Sequence, residues 1–371
     1  MLDIKDNQHS AHHYPALDGI RGIAILLVFC YHFAGKGNSA NWLIRIWSGI
    51  AGTGWMGVDL FFVLSGFLIT GILYDTAHKQ HRIRNFYARR SLRIFPLYYG
   101  VLLLFLVLTP VLNLHWRPGH LLYFFYLSNM MPILTPGLSS PGRGMMVGHL
   151  WSLAVEEQFY LLWPFVVWHV RQRVKLMQIS VVIMIAALAL RLILVLRGVS
   201  LGYIYPILPT RIDTLVCGGI AALLVRGPSP RKLPVNKVLL VSGSLAIALL
   251  LSMNLSVYGS QFLATFGYTI LAVCFACLVL CAQQGRGLIT QIGRSSILRF
   301  FGRYSYGLYM YHGLLFIFLI QLVHPVQHLV HSNVLGGILV IASSLGLTLA
   351  ISMLSYHFFE LPILRLKSRF D

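Results

Sequence analysis

The sequence is poor in acids. Ten Asp and Glu stand against 29 Lys and Arg in 371 residues, and charged residues of both signs make up only 11%. A soluble domain carries about 25%. Disorder is excluded as well, because a disordered chain lacks the apolar mass found here, 57% hydrophobic and 13% aromatic. Cysteine is scarce: Cys30, Cys217, Cys274, Cys277 and Cys281 all fall inside apolar runs, so no disulfide framework is implied. Cys274, Cys277 and Cys281 share a helical face, but no nearby His or acid completes a metal site, and they read as packing residues. No metal is expected. There is also no strong repeat, low-complexity linker or polar appendage. The formal charge of +19 therefore has no polar domain on which to form a nucleic-acid face. A mean hydropathy of +0.74 excludes a soluble α/β enzyme and points to a polytopic membrane protein.

What is present in quantity is long apolar runs, each near the roughly 20 residues that cross a bilayer as helix. They fall at about 17–34, 55–75, 95–115, 149–170, 176–196, 204–225, 238–254, 262–282, 304–322 and 334–358. A shorter run at 120–134 is broken by Asn129 and Pro132. With residues 1–16 inside and 120–134 not spanning, 21 of the 29 basic residues lie in inner loops and five (Lys36, Arg45, Arg117, Arg143, Arg197) in outer ones. Making 120–134 a span would move 14 basic residues outside. The positive-inside bias thus predicts an all-α bundle of about ten transmembrane helices with both termini cytoplasmic. Residues 1–371 read as one integral membrane domain, with 1–16 a short cytoplasmic tail. An outer loop at about 116–148 would carry 120–134 as a re-entrant or interfacial piece. The first span holds Asp18, Arg21 and His32 and does not read as a cleavable signal.

Ionisable groups inside a span are costly, so each is a functional candidate. Arg21 and His32 lie eleven residues apart, about three turns, and share a face with an axial offset of about 16 Å. Arg21 has bland alternatives in an i,i+3 pair with Asp18 or in snorkelling, and His32 in interfacial hydrogen bonding. Arg90 and Arg93, in the loop after the second span, are helix neighbours whose guanidinium forks suit phosphate. The bland reading is a topology anchor. Glu156 and Glu157 sit about two turns below the outer edge of the fourth span, and an ion pair with Arg211 competes with a catalytic role there. Asp59, His32, Glu156, Arg211 and Asp213 all map to the outer half, which a polar cavity would explain. His324, His328 and His331 read as a solvated face, and His9, His12 and His13 as a disordered tail.

The ordered motifs resemble acyltransferase family 3, membrane proteins that transfer acyl groups to carbohydrates and other hydroxyl acceptors. The pieces are Leu17-Asp18-Gly19-Ile20-Arg21-Gly22 with Tyr31-His32, then Gly57-Val58-Asp59-Leu60-Phe61-Phe62-Val63-Leu64-Ser65-Gly66-Phe67, then Phe86-Tyr87 with Arg89-Arg90 and Arg93 before Phe95-Pro96. Trp151-Ser152-Leu153 with Glu156, Phe159 and Tyr160 follows, then Arg211 with Asp213, and Tyr304-Ser305-Tyr306-Gly307 leading to His312. The resemblance implies ten core spans and an activity that needs Arg21 and His32. It also implies that Arg90 and Arg93 are the family's Arg-x-x-Arg, and that the chain is of the stand-alone type, without an esterase-like domain. It further implies an O-acyltransferase of the bacterial inner membrane that binds no permanent cofactor. Acetyl-CoA or another acyl-CoA would be donor, and a carbohydrate or lipid-linked glycan acceptor. Arg21, Arg90 and Arg93 would bind the donor's phosphates. His32 would act as base with Glu156 or Asp59 behind it, and Arg211, Asp213, Tyr306 and His312 would serve substrate binding. A covalent acyl-histidine stays open. The lipid bilayer is the expected surrounding, with no nucleic-acid partner; the oligomeric state is not readable. The rival class is a proton-coupled transporter or flippase for a glycan or small anion, against which stands the lack of inverted repeats. A non-catalytic partner in polysaccharide assembly is a third.

Overall fold

A computed structural model describes residues 14–33, 42–112, 116–135, 147–228, 235–252, 261–285 and 287–370. His9, His12, His13, Lys36 and Arg143 lie outside these. Among the described residues there is helix and no strand. The main helices are α1 (Pro15–Phe33), α2 (Trp42–Gly52), α3 (Met56–Asp75), α4 (Arg82–Leu112), α5 (Trp151–Val170), α6 (Arg173–Leu196), α7 (Leu208–Val225) and α8 (Val235–Ser252). They continue with α9 (Tyr268–Gln283), α10 (Ser296–Arg303), α11 (Ser305–Leu319), α12 (Val323–Leu329) and α13 (Asn333–Ser355).

Each of the ten apolar runs coincides with one of these helices. Among the described residues seven stretches are long and apolar enough to cross a membrane, or eight if the bent pair Ser305–Phe316 and Ile320–Leu329 is one span. The remaining two runs differ for visible reasons. Helix α5 has 20 residues but carries Glu156, Glu157, Gln158 and His169, and the apolar part of α8 is only Val235–Ala248. The chain is an integral, multi-pass membrane protein.

Two local findings revise the expected boundaries. The basic segment 85–95 is not a loop: α4 begins at Arg82 and runs through Pro96 without interruption. Its Tyr, Ala, Arg and Leu residues hold the helix, and Arg90 and Arg93 share its inward surface. The 116–135 segment breaks into turns and four-residue helices, Leu121–Phe124 and Met131–Leu134. These short pieces tuck against the bundle. Tyr98 donates to the Tyr123 carbonyl at 2.7 Å and Tyr99 to the Phe124 carbonyl at 2.9 Å. Gln158 donates to the Tyr126 carbonyl (2.9 Å) and exchanges bonds with the Asn129 amide (2.8 and 3.1 Å). Gln158 is seven residues into α5, roughly 10 Å along its axis. Non-helical backbone packed inside a bundle needs such partners.

Helix α3 sits at the centre, packed against α1, α5, α7 and α9. Its crossing with α7 is backbone to backbone. A Cβ on Gly66 would fall 1.8 Å from the Leu215 carbonyl oxygen, and one on Gly218 2.0 Å from that of Val63. Small residues let membrane helices approach closely where no hydrophobic effect drives them together. Gly66→Val and Gly218→Val should each force the helices apart at a cost of about 1–3 kcal/mol or more. We expect a lower unfolding midpoint in detergent for both. Gly243→Ala, whose Cβ would meet nothing closer than Cys274 Sγ at 3.8 Å, should leave it unchanged.

Candidate active site

The sequence-predicted residues fall into three adjacent groups. The first is a cleft between α1, α3, α4, α5 and α11. Arg21, Arg90, Arg93, Glu156, Glu157, Ser65, Tyr160 and Tyr306 line it. Arg21 bonds Asp18 at 3.3 Å, the i,i+3 pair foreseen, yet its side chain still faces the cleft. Glu156 accepts from Ser65 Oγ at 2.8 Å and from Tyr160 OH at 3.0 Å, so each carboxylate oxygen has a hydroxyl donor. The Arg90 guanidinium lies over the Tyr160 ring, 5.3 Å from its centroid. One buried oxygen of Glu157 has no hydrogen-bond partner among the described residues. Tyr306 donates to the Ile94 carbonyl at 2.7 Å, fixing α11 against α4.

The second group is a cavity around His32. Val28, Tyr31, Trp55, His149, Trp151, Tyr205 and Tyr309 also line it. The His32 and His149 rings each lie 4.9 Å, centroid to centroid, from the buried ring of His312. His32 Nδ1 is 2.9 Å from the Val28 carbonyl, and His312 Nδ1 is 2.7 Å from that of Tyr309. A carbonyl only accepts, so Nδ1 carries a proton in both rings and Nε2 is the nitrogen left for proton exchange. Among the described residues, Nε2 of His312 is buried and has no hydrogen-bond partner. The Tyr309 hydroxyl donates to the His149 carbonyl (2.6 Å) and lies 2.5 Å from Ser152 Oγ. Val58 and Tyr309 line both the arginine cleft and the histidine cavity, so the two spaces share a wall.

The third group is wholly buried. Arg211 bonds Asp59, and Arg191 bonds Asp213 at 2.8 Å. Thr269 donates to the same Asp213 oxygen at 2.7 Å, and Arg191 also donates to the carbonyls of Thr210 and Thr265. The Arg211 guanidinium stacks 4.1 Å from the Tyr268 ring centroid and 5.1 Å from that of Tyr205.

This arrangement changes several expectations. Asp59 points at Arg211 and not at His32, because an unpaired guanidinium in that apolar interior would be far more costly than the pair. Glu156 pairs with hydroxyls rather than with Arg211. Arg211 and Asp213, expected in substrate binding, each serve a separate ion pair. Arg191, Ser65, Tyr160, Tyr309 and His149 were not assigned roles from sequence. The signal for Arg191 was present, since a single arginine in the run Ala186-Ala187-Leu188-Ala189-Leu190-Arg191-Leu192 demands a buried acid. Ser65 and Tyr160 stood only within the quoted motifs, and His149 at the start of an apolar run, with nothing to name their partners. His324, His328 and His331 are exposed, as expected. Among the described residues no group of three or more His, Cys, Asp or Glu is placed to hold a metal ion.

Fold and site together define a multi-pass helical membrane protein with an arginine-lined cleft beside a cluster of imidazoles. The chain belongs to acyltransferase family 3, its residues 14–357 matching the family's acyltransferase domain. It is 29% identical to the peptidoglycan O-acetyltransferase OatA of Listeria monocytogenes, over 97% of this chain and 57% of that protein. It is 28% identical to the O-acetyltransferase OatA of Staphylococcus aureus strain NCTC 8325, over 98% of this chain and 60% of that protein. The chain therefore spans well under two thirds of the length of these relatives. No solved structure matches it.

The buried pairs carry a stability prediction. Asp59→Ala leaves Arg211 uncompensated and should destabilise by about 3–5 kcal/mol. The double variant Asp59→Ala/Arg211→Met should recover part of that loss. Unfolding midpoints of the two singles and the double in one detergent check it; additive losses would remove the pairing from the account.

Proposed function

We propose that the protein is a membrane O-acyltransferase that moves an acyl group, acetyl in the first instance, from acyl-CoA to a hydroxyl of a carbohydrate or lipid-linked glycan. The observation that carries this reading is the shared wall of the arginine cleft and the His32 cavity at Val58 and Tyr309. One side suits phosphate and the other suits proton transfer. Family membership supplies the acyl transfer, and the printed names of the two relatives favour acetyl as the group and a cell-wall glycan as the acceptor class. The positive-inside charge bias supports ten spans with both termini cytoplasmic in a bacterial inner membrane, which puts the Arg90–Arg93 end on the side where acyl-CoA is available.

In this reading Arg21, Arg90 and Arg93 hold the phosphates of CoA by charge-assisted hydrogen bonds. The pantetheine arm runs past Val58 and Tyr309 toward His32. The offset of about 16 Å between Arg21 and His32 along α1 suits an arm of that length. Nε2 of His32 takes the proton from the acceptor hydroxyl, and the oxygen attacks the thioester carbonyl. The carbon–sulfur bond then breaks and the thiolate recovers the proton from the imidazolium. His312, its Nδ1 tied to Tyr309, lies against His32 and supports its orientation. Glu156, held by Ser65 and Tyr160, contributes on the donor side and is not the partner of His32. Asp59 acts through Arg211, as an anchor of the helices that carry the site.

The test follows free thiol when purified protein meets acetyl-CoA and an N-acetylglucosamine oligosaccharide. His32→Ala should lower the rate roughly 10²–10⁴-fold with CoA affinity little changed. Full activity of that variant, or acceptor flux across proteoliposomes without thiol release, would overturn the reading in favour of transport. Arg90→Ala/Arg93→Ala should weaken CoA binding at least tenfold; unchanged binding would remove the phosphate clamp.

A further inference from the structure

The His32 cavity has an aromatic wall that the steps above leave unused. Its rings come from four places in the chain: Tyr31 near the end of α1, Trp55 just before α3, Trp151 at the start of α5 and Tyr205 ahead of α7. Two glycines set the position of Trp55. They let the turn Thr53–Trp55 and the start of α3 lie directly on α1. A Cβ on Gly54 would fall 2.1 Å from the Leu27 carbonyl oxygen, and one on Gly57 2.4 Å from that of Ala24. Trp55 is thereby held beside the last turns of α1, which carry Tyr31 and His32. The rings are also locked among themselves. Trp151 lies 4.8 Å from Tyr205, centroid to centroid, Tyr205 lies 5.6 Å from Tyr268, and Tyr268 meets Trp55 edge to face at 6.1 Å. The Arg211 guanidinium, paired with Asp59, packs on both tyrosines. The space in front of this wall measures about 230 Å³, many times what one water needs.

One polar group in the wall is not used by the protein itself. Trp55 is 2% exposed, and its indole nitrogen is buried with no hydrogen-bond partner among the described residues. An indole N–H only donates, and a buried donor without an acceptor is costly. Trp168 has the same unsatisfied nitrogen. It sits near the far end of α5 against Phe86 and Arg82, and it lines neither the cleft nor the His32 cavity. Of the two, Trp55 is the one that shares a cavity with His32. Aromatic faces with a few fixed polar groups suit a sugar ring. The C–H face of a pyranose is apolar and packs on the electron-rich face of an aromatic ring, while its rim of oxygens accepts hydrogen bonds.

We propose that the His32 cavity takes one pyranose ring of the acceptor against the wall of Trp55, Trp151 and Tyr205, with the Trp55 N–H donating to one of the sugar's oxygens. The inference rests on the acceptor class assigned above and deepens it. Trp55 becomes an acceptor-binding residue that brings a sugar hydroxyl to Nε2 of His32. The locked rings make the subsite rigid before the sugar arrives, which lowers the ordering cost of binding. A thioester carbonyl also accepts from an N–H, and the test separates the two.

The experiment uses the full chain in nanodiscs, acetyl-CoA and a tetrasaccharide of N-acetylglucosamine. Trp55→Phe keeps an aromatic ring and removes the N–H. It should raise the KM and Kd for the tetrasaccharide about tenfold, with kcat at saturating tetrasaccharide and the affinity for CoA little changed. Trp168→Phe should alter none of these. A fall in kcat with the tetrasaccharide KM unmoved would overturn the proposal and give the N–H to the thioester oxygen. Equal effects of Trp55→Phe and Trp168→Phe would overturn it as well. Wild type supplies a second readout that needs no variant to fold. With its seven tryptophans labelled with 15N, one indole proton signal should move downfield when the tetrasaccharide is added, and a spectrum without change would count against the subsite. If wild type releases no thiol from acetyl-CoA, the acyl-transfer reading itself is wrong. Thiol release by wild type with an unmoved KM in Trp55→Phe overturns this inference alone.

Discussion

The interior of this bundle is organised by the need to pair charge where water is absent. Asp59 on α3 holds Arg211 on α7, and Asp213, also on α7, holds Arg191 on α6 together with Thr269 on α9. These five side chains fix α3, α6, α7 and α9 relative to one another in a medium where apolar packing alone gives little reason to associate. The glycines of α3 and α7 then let the two backbones touch. Once that frame is set, the face of α3 carrying Val58, Phe61 and Ser65 meets α1, α5 and α11, and the cleft and the histidine cavity form on either side of Val58 and Tyr309.

The division of labour among the polar groups follows from this frame. The buried arginines each pair with an acid and lie against aromatic faces. Arg21, Arg90 and Arg93 are not so enclosed; they look into a cleft where Glu156 is committed to the hydroxyls of Ser65 and Tyr160. The imidazoles of His32 and His312 have their Nδ1 atoms spent on backbone carbonyls, which leaves Nε2 as the basic atom by geometry. A cluster of imidazoles beside an arginine-lined cleft suits a reaction in which an anionic donor arrives from one end and a hydroxyl proton is removed at the other.

Much of this was legible in the sequence, and the limits have physical causes. Ten apolar runs gave ten helices, since a segment of that length in lipid has few alternatives to helix. The helical stretch 82–95 was misread as loop because its density of arginine masks a pattern that continues straight through Pro96. Arg21 and His32 could be placed on one face by the helical period alone. Pairings between helices could not: sequence offered Arg211 for Glu156 and either Glu156 or Asp59 for His32, whereas Glu156 bonds Ser65 and Tyr160 and Asp59 bonds Arg211. Arg191 announced itself by its cost, whereas Ser65, Tyr160 and Tyr309 are ordinary residues whose roles exist only where the helices meet. The segment Arg365–Phe370 gave no sign in one dimension that it packs back along α4.

The central claim is that one donor molecule occupies both halves of the site. The most direct measurement is a structure of the full chain, determined by electron cryomicroscopy in nanodiscs, with CoA bound. The account predicts phosphates against Arg21, Arg90 and Arg93, and the thiol past Val58 and Tyr309 within hydrogen-bonding reach of His32. A nucleotide bound away from those arginines, or a thiol end directed out of the bundle, would contradict it.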